Sequence, residues 1–344
     1  MRYQRVCLYP PAYVAPPGVV TSAELEKRLA PLYQRLKLPE GRLELMSGIR
    51  ERRFWGRGTR PSEAAALAGE RALIAAGADP AEIDCLIFTS VSRDMMEPAT
   101  ASFVHRRLGL SQRCHIFDLS NACLGFLNGM VVLANMIELG QIRKGMVVAG
   151  ETAEDLVEST ISHLLQDLAV TRKSMKASFA SLTIGSGAVA MVLGERSICD
   201  SGHLLVGGAV QANTNHNELC QGGQGQKAGI LMATDSEELL KRGVETATLV
   251  WRDFLAELDW RAADIDCFCC HQVGRAHASL LCERLGIDPA RNFESLSHWG
   301  NVGSVSAPLT MALAIEEGSV AAGERIALLG IGSGINCLML GIEW

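Results

Sequence analysis

Ile265-Asp266-Cys267-Phe268-Cys269-Cys270-His271-Gln272-Val273-Gly274-Arg275 has a counterpart early in the chain, Ile83-Asp84-Cys85-Leu86-Ile87-Phe88-Thr89-Ser90-Val91-Ser92-Arg93. The offset is 182 (265 − 83). Working outward, Leu108-Gly109-Leu110 answers Leu285-Gly286-Ile287 at 177 (286 − 109), and the segment from Gly140 to Gly145 answers that from Gly318 to Gly323 at 178 (318 − 140). The apolar run Met146–Ala149 then matches Ile326–Leu329. Matches in one order at nearly one offset indicate two copies of one unit. A period this long is a domain duplication, because solenoid repeats recur every ~20–50 residues. The halves are residues 1–196 and 197–344; no Gly/Ser-rich or charged linker separates them, so they are expected to share a core.

Each copy alternates strand and helix. Leu67–Ala76 reads as a helix closed by Gly77. Leu86–Thr89 and Ile116–Leu119 read as buried strands, followed by a helix over Leu124–Leu139. The second copy opens with a helix over Glu237–Glu257. This alternation predicts an α/β fold of βαβ units with mainly parallel sheets, covered on both faces.

Composition narrows the function classes. The chain has 344 residues, 48% hydrophobic and 20% charged, as expected of a globular protein with a large core. A net charge of −6 disfavours nucleic-acid binding. One local exception, Arg50, Arg52, Arg53, Arg57 and Arg60, reads either as an anion-holding cluster or as a solvated surface. No apolar run reaches the ~18 residues of a membrane span, so no integral membrane association is expected. The N-terminus lacks the layout of a signal peptide, which makes the expected location cytoplasmic. The 11 cysteines, odd in number and irregularly spaced, then read as free thiols. Cys267, Cys270 and His271 match the spacing of c-type haem attachment, but they lie in what looks like a buried strand. No second cysteine pair follows to make a zinc site.

The repeat also locates the chemistry. Ligands of parallel sheets meet the loops at strand carboxyl ends. His271 ends its strand, and its counterpart is Thr89 (271 − 182). Cys123 plus 178 gives Asn301. Three polar residues thus fall on corresponding loops. Cys123 lies in Ser120-Asn121-Ala122-Cys123-Leu124-Gly125, where a strand turns into a helix. Free N–H groups at a helix start favour a thiolate and can hold an oxyanion. An inert buried cysteine is the bland reading for the other ten. His271 alone reads as easily as a structural histidine, and Asn301 as an N-cap. Gly185-Ser186-Gly187 leads into a strand, not a helix, so it is not a dinucleotide loop. Gly330-Ile331-Gly332-Ser333-Gly334 offers bare backbone to line a tight site.

Together these motifs resemble the thiolase superfamily, in the branch of ketoacyl-acyl-carrier-protein synthase III. The resemblance runs nearly end to end. It rests on Ser47-Gly48-Ile49-Arg50-Glu51-Arg52, the Cys123 elbow, His271-Gln272, Gly300-Asn301 and the terminal Gly-rich strand. It implies a five-layer αβαβα thiolase fold with pseudo-twofold symmetry, and a Cys123–His271–Asn301 catalytic set. Within the branch, the stretches Ser90–Pro98, Asn121-Ala122-Cys123 and Leu328–Cys337, with the final Trp344, resemble the OleA-type enzymes, which condense two long-chain acyl-CoA molecules head to head. That resemblance implies a homodimer in which Glu97 is a base reaching the neighbouring subunit's site, and a Ser333 backbone N–H as second oxyanion donor beside that of Cys123. Elongating synthases carry an aromatic where this chain has Arg42 and an Arg where it has Met46, so their coenzyme contacts do not transfer.

The carboxylate has a chemical reason. A malonyl donor makes its carbanion by losing carbon dioxide, whereas a plain acyl thioester must lose an α-proton to a positioned base. Burial among Met95, Met96 and Pro98 would raise the basicity of Glu97. The leading expectation is therefore non-decarboxylative Claisen condensation of two acyl-CoA thioesters, with CoA or acyl-carrier thioesters as substrates and no cofactor or metal. The alternatives are decarboxylative condensation of the synthase III type, a ketosynthase forming pyrones or resorcinols, and a non-catalytic member that binds partner enzymes or acyl carriers.

Overall fold

The two Ile-Asp sequences do the same work in both halves of the computed structural model, which describes residues 1–224 and 230–344. The N–H of Asp84 donates to the Lys144 carbonyl, and that of Asp266 to the Arg325 carbonyl, both at 2.9 Å. Each carboxylate accepts in return, from Lys144 N–H at 3.1 Å and from Arg325 N–H at 2.9 Å. Gly109 and Gly286 close equivalent helices in the left-handed region, at φ 62° and 66°. The repeat read in the sequence is thus a repeat of hydrogen bonds.

Nine of the strands form one continuous path. Its order is His115–Asp118, Cys85–Phe88, Lys144–Glu151, Gly187–Glu195, Val6–Leu8, His203–Ala212, Asn336–Glu343, Arg325–Gly332, Cys267–Cys270. Val6–Leu8 pairs with a strand of each half and joins them. The path is mixed, which corrects the expectation of mainly parallel sheets. Cys85–Phe88 is parallel to both of its neighbours, and Cys267–Cys270 to Arg325–Gly332. Gly187–Glu195, Val6–Leu8 and Asn336–Glu343 run antiparallel to theirs. Only residues 333–335 connect Arg325–Gly332 to Asn336–Glu343, too short a link for a parallel crossover.

Helices cover these strands in the expected layers. Pro61–Ala76 and Thr100–Leu108 pack on the outside of the first half. Ser236–Leu258 and Arg275–Leu285 pack on the outside of the second. Between the halves lie Gly125–Glu138 and Ser306–Glu316, in a core shared by strands of both. The result is αβαβα. The two middle helices are buried on most sides, which fits their lack of a strong amphipathic pattern. Pro61–Ala76 begins six residues before the expected Leu67, since Pro61 fits the first helical position.

Cys7 and Cys199 are joined in a disulfide, which corrects the reading of all cysteines as free. Its partners lie 192 residues apart, a separation that no local spacing betrays. Nine cysteines remain free. Among the described residues, no helix is long and apolar enough to cross a membrane. The arginine run disperses. Arg52 is fully buried and donates to the Leu182 carbonyl and Ser22 hydroxyl at 3.1 Å. Arg53 lies over the Trp299 ring, and Arg60 caps the Pro61–Ala76 helix.

Candidate active site

The nucleophile turn is built on backbone that few side chains accept. Ala122 sits at φ 47°, a left-handed conformation that costs about 1–3 kcal/mol outside glycine. It turns the chain sharply between the His115–Asp118 strand and the Gly125–Glu138 helix, and leaves Cys123 at the bend. Gly125 lies so close to the strand end beneath it that a Cβ would come within 2.1 Å of the Thr89 carbonyl oxygen. Leu124, Leu127, Ala134 and Ile137 are buried along one side of the helix, while Val131 is half-buried.

Cys123 keeps partial solvent exposure although protein surrounds it. Burial, then the nearby Cys220 and Glu151, push it from 9.0 up to about 12. A rise of that size is roughly 4 kcal/mol against ionisation. A helix N-terminus returns about 0.3–2 kcal/mol. Burial therefore outweighs the helix start and opposes the thiolate that its free N–H groups favour.

His271 follows the Cys267–Cys270 strand, and its N–H donates to the Leu329 carbonyl at 2.7 Å. Thr89 makes the matching bond to Val148 at 2.9 Å. The imidazole is 3% exposed, and neither ring nitrogen has a protein partner. Burial, reinforced by His277, lowers it to about 3. It is neutral at any working pH, and a neutral ring offers one N–H to a ligand. Gln272 anchors this turn: its side chain accepts from Ser295 and Leu296 N–H and donates to the Phe293 carbonyl.

Asn301 is held by its backbone to Thr183 and Gly185, at 3.0 and 2.8 Å. Its Oδ1 accepts from Gly303 N–H at 3.0 Å, which leaves the Nδ2 donor end for a ligand. The turn beyond it joins the site. Ser304 Oγ accepts from Phe126 N–H on the nucleophile helix at 2.9 Å, and Ser306 Oγ accepts from Gln272 N–H at 3.2 Å. Residues 301–306 thus connect the cysteine, histidine and asparagine loops, as the offset arithmetic anticipated. The Gly-rich strand completes the surround. A Cβ on Gly332 would lie 3.7 Å from Cys123 N, which brings Ser333 to the nucleophile turn. The carbonyl of Ser333 accepts from Asn336 Nδ2, which also reaches Asn121.

Glu97 stands apart. It is exposed, and Met96 beside it is 99% exposed, so Met95, Met96 and Pro98 do not enclose the carboxylate within its own chain. Within one chain the segment lies at the surface. One residue went unread in the sequence. Glu151, 5% exposed, ends the strand beside Cys85–Phe88, and it contributes to raising the Cys123 thiol. The signal was a lone acid closing the apolar run Met146-Val147-Val148-Ala149-Gly150 at a strand carboxyl end.

A family model for 3-oxoacyl-[acyl-carrier-protein] synthase III matches residues 117–212, and one for the C-terminal part of that enzyme matches residues 255–344. The chain is 43% identical to the acyl-CoA:acyl-CoA alkyltransferase of Shewanella oneidensis and 38% identical to that of Xanthomonas campestris, with full coverage of both chains in each case. It is 28% identical to a beta-ketoacyl-[acyl-carrier-protein] synthase III of Natranaerobius thermophilus, over 96% of each chain. Among solved structures, cerulenin-bound Xanthomonas OleA superposes with a TM-score of 0.95 over 100% of this chain and 98% of that one. A cysteine-to-serine OleA with lauric acid and lauroyl-CoA superposes at 0.94, over 99% and 100%. Identity at this level from end to end, on one fold, places the chain in the acyl-CoA:acyl-CoA alkyltransferase (OleA) family of thiolase-fold acyltransferases.

Proposed function

We propose that the protein joins two acyl-CoA thioesters by non-decarboxylative Claisen condensation. The observation that carries the chemistry is the buried His271 imidazole, neutral and without a protein partner, on a turn that is hydrogen-bonded through Gln272 and Ser306 to the segment following Asn301. An imidazole near 3 is a poor acceptor for the thiol proton, but its N–H suits a carbonyl that becomes an enolate.

The steps balance without a cofactor. Cys123 attacks the first thioester; its proton leaves with coenzyme A as the free thiol. The second acyl-CoA lays its carbonyl oxygen between the N–H of His271 and Nδ2 of Asn301. Glu97 removes the α-proton, and the carbanion attacks the Cys123 thioester. The oxyanion formed there is held by the N–H groups of Cys123 and Ser333. Collapse expels the Cys123 sulfur, which recovers a proton from Glu97 and leaves a β-keto thioester, a precursor of the β-keto acid.

Glu97 is exposed on its own subunit, and a homodimer would bring it to the partner's site. The supporting observations are that the strand His115–Asp118 ends the sheet path with Ile116 exposed, and that Val91 and Met96 are exposed in the segment of Glu97. An open edge strand and an apolar patch are features a symmetric interface covers. For the nucleotide of coenzyme A, a cleft by the Arg42–Ser47 helix has Lys37, Arg42, Arg172 and Lys176 around Tyr33, Met46 and Phe179. Cations over an apolar floor suit phosphates and an adenine ring. The same helix ends at Gly48, against Arg275 at the start of the Arg275–Leu285 helix that follows His271.

The two half-reactions test these roles. In His271→Ala or Asn301→Ala, acylation of Cys123 is expected to persist within about threefold, while condensation falls by roughly 10²–10³-fold. Intact-mass and product analyses read the two steps. Equal loss of both would make these residues activators of the thiol instead.

A further inference from the structure

Glu151 is a carboxylate buried among backbone donors from two separate loops. Its Oε1 accepts from Val91 N–H at 2.9 Å and from Ser304 N–H at 3.2 Å. Its Oε2 accepts from Ser92 N–H at 3.1 Å. Val91 and Ser92 begin the segment that carries Glu97; Ser304 belongs to the turn that carries Asn301. The packing leaves little freedom: a Cβ on Gly303 would fall 3.0 Å from Oε1. The first segment is stitched to the Glu151 strand again, by Gly150 N–H donating to Ser90 Oγ at 2.6 Å and Thr152 N–H to Ser92 Oγ at 3.2 Å. Ser304 in turn receives the N–H of Phe126, three residues beyond the nucleophile.

We propose that Glu151 is a positioning residue for condensation, one carboxylate that holds the Glu97 segment and the Asn301 turn in register with the Cys123 helix. The inference rests on the condensation reading above. A buried carboxylate is costly and persists where hydrogen bonds satisfy it. Here burial raises it, while the Val91, Ser92 and Ser304 donors pull it down. Those donors need both oxygens. A glutamine places its carbonyl on one side only and turns an NH2 group against a backbone N–H on the other. The groups it would loosen serve the second substrate, whereas the backbone of Cys123 serves the first.

The test uses the full-length protein with Glu151→Gln and Glu151→Asp. In Glu151→Gln, acylation of Cys123 is expected to stay within about threefold of wild type. Condensation should fall about 10²-fold in kcat, the scale of a 1 Å misplacement. Glu151→Asp keeps both oxygens and the charge on a shorter stem, and should recover about tenfold over the glutamine form. A wild-type condensation rate in Glu151→Gln would overturn the proposal. So would an equal fall in both half-reactions, or loss of the folded protein in both variants, which would make Glu151 a fold residue only. The wild-type reaction separates the two claims. Absence of a condensation product there rejects the functional reading; a wild-type product with an unimpaired Glu151→Gln rejects only the role of Glu151.

Discussion

Replacing Cys123 with alanine is expected to abolish the acyl-enzyme and to lower condensation by roughly 10³-fold or more, the scale seen when a covalent nucleophile is removed. The expectation follows from position. Of the nine free cysteines, Cys85, Cys267, Cys269, Cys270, Cys282 and Cys337 are buried in or against the sheet, while Cys123 alone lies at the strained bend before a helix. Cys220 is the nearest rival, since it sits close enough to influence the Cys123 thiol. It lies in the Cys220–Gln224 strand, with Thr234 Oγ1 donating to its sulfur, and has no helix start to hold an oxyanion. Intact-mass measurement after incubation with acyl-CoA decides. A stable adduct on Cys123→Ala under catalytic conditions would move the nucleophile elsewhere.

The second large effect joins assembly to mechanism. Cys123→Ala and Glu97→Ala homodimers are each expected to be inactive. Mixed and re-assembled, they should recover up to about a quarter of wild-type activity. Random pairing makes about half of the dimers mixed, and each mixed dimer holds one site with both groups intact. The motive is the exposure of Glu97, which has no enclosing contacts within its own chain. No recovery despite confirmed subunit exchange would place Glu97 in its own subunit's site or outside catalysis.

How much of this was legible depends on the kind of signal. The duplication was, because the Ile-Asp pairs and the helix-closing glycines at 109 and 286 carry the same local bonds in each half. The offsets also pointed to the turns that carry Cys123, His271 and Asn301, which hydrogen bonds to Ser304 and Ser306 link in the structure. The strand directions were not legible. An apolar run reads alike in parallel and antiparallel sheets, and only the short 333–335 link reveals the reversal. The Cys7–Cys199 bond was hidden by sequence distance. The rise of the Cys123 thiol was not legible, because it depends on what surrounds the side chain in space, and neighbours in sequence are a poor guide to that. Glu151 escaped notice because its partners are backbone N–H groups, which no residue type announces.

The most direct measurement gives the purified protein one saturated long-chain acyl-CoA, with no malonyl thioester present, and identifies the products by mass spectrometry. The expected product is a β-keto thioester or acid containing both acyl chains, formed with release of coenzyme A and without carbon dioxide. A condensation product that appears only when a malonyl donor is added, with its carboxyl lost as carbon dioxide, would contradict that expectation.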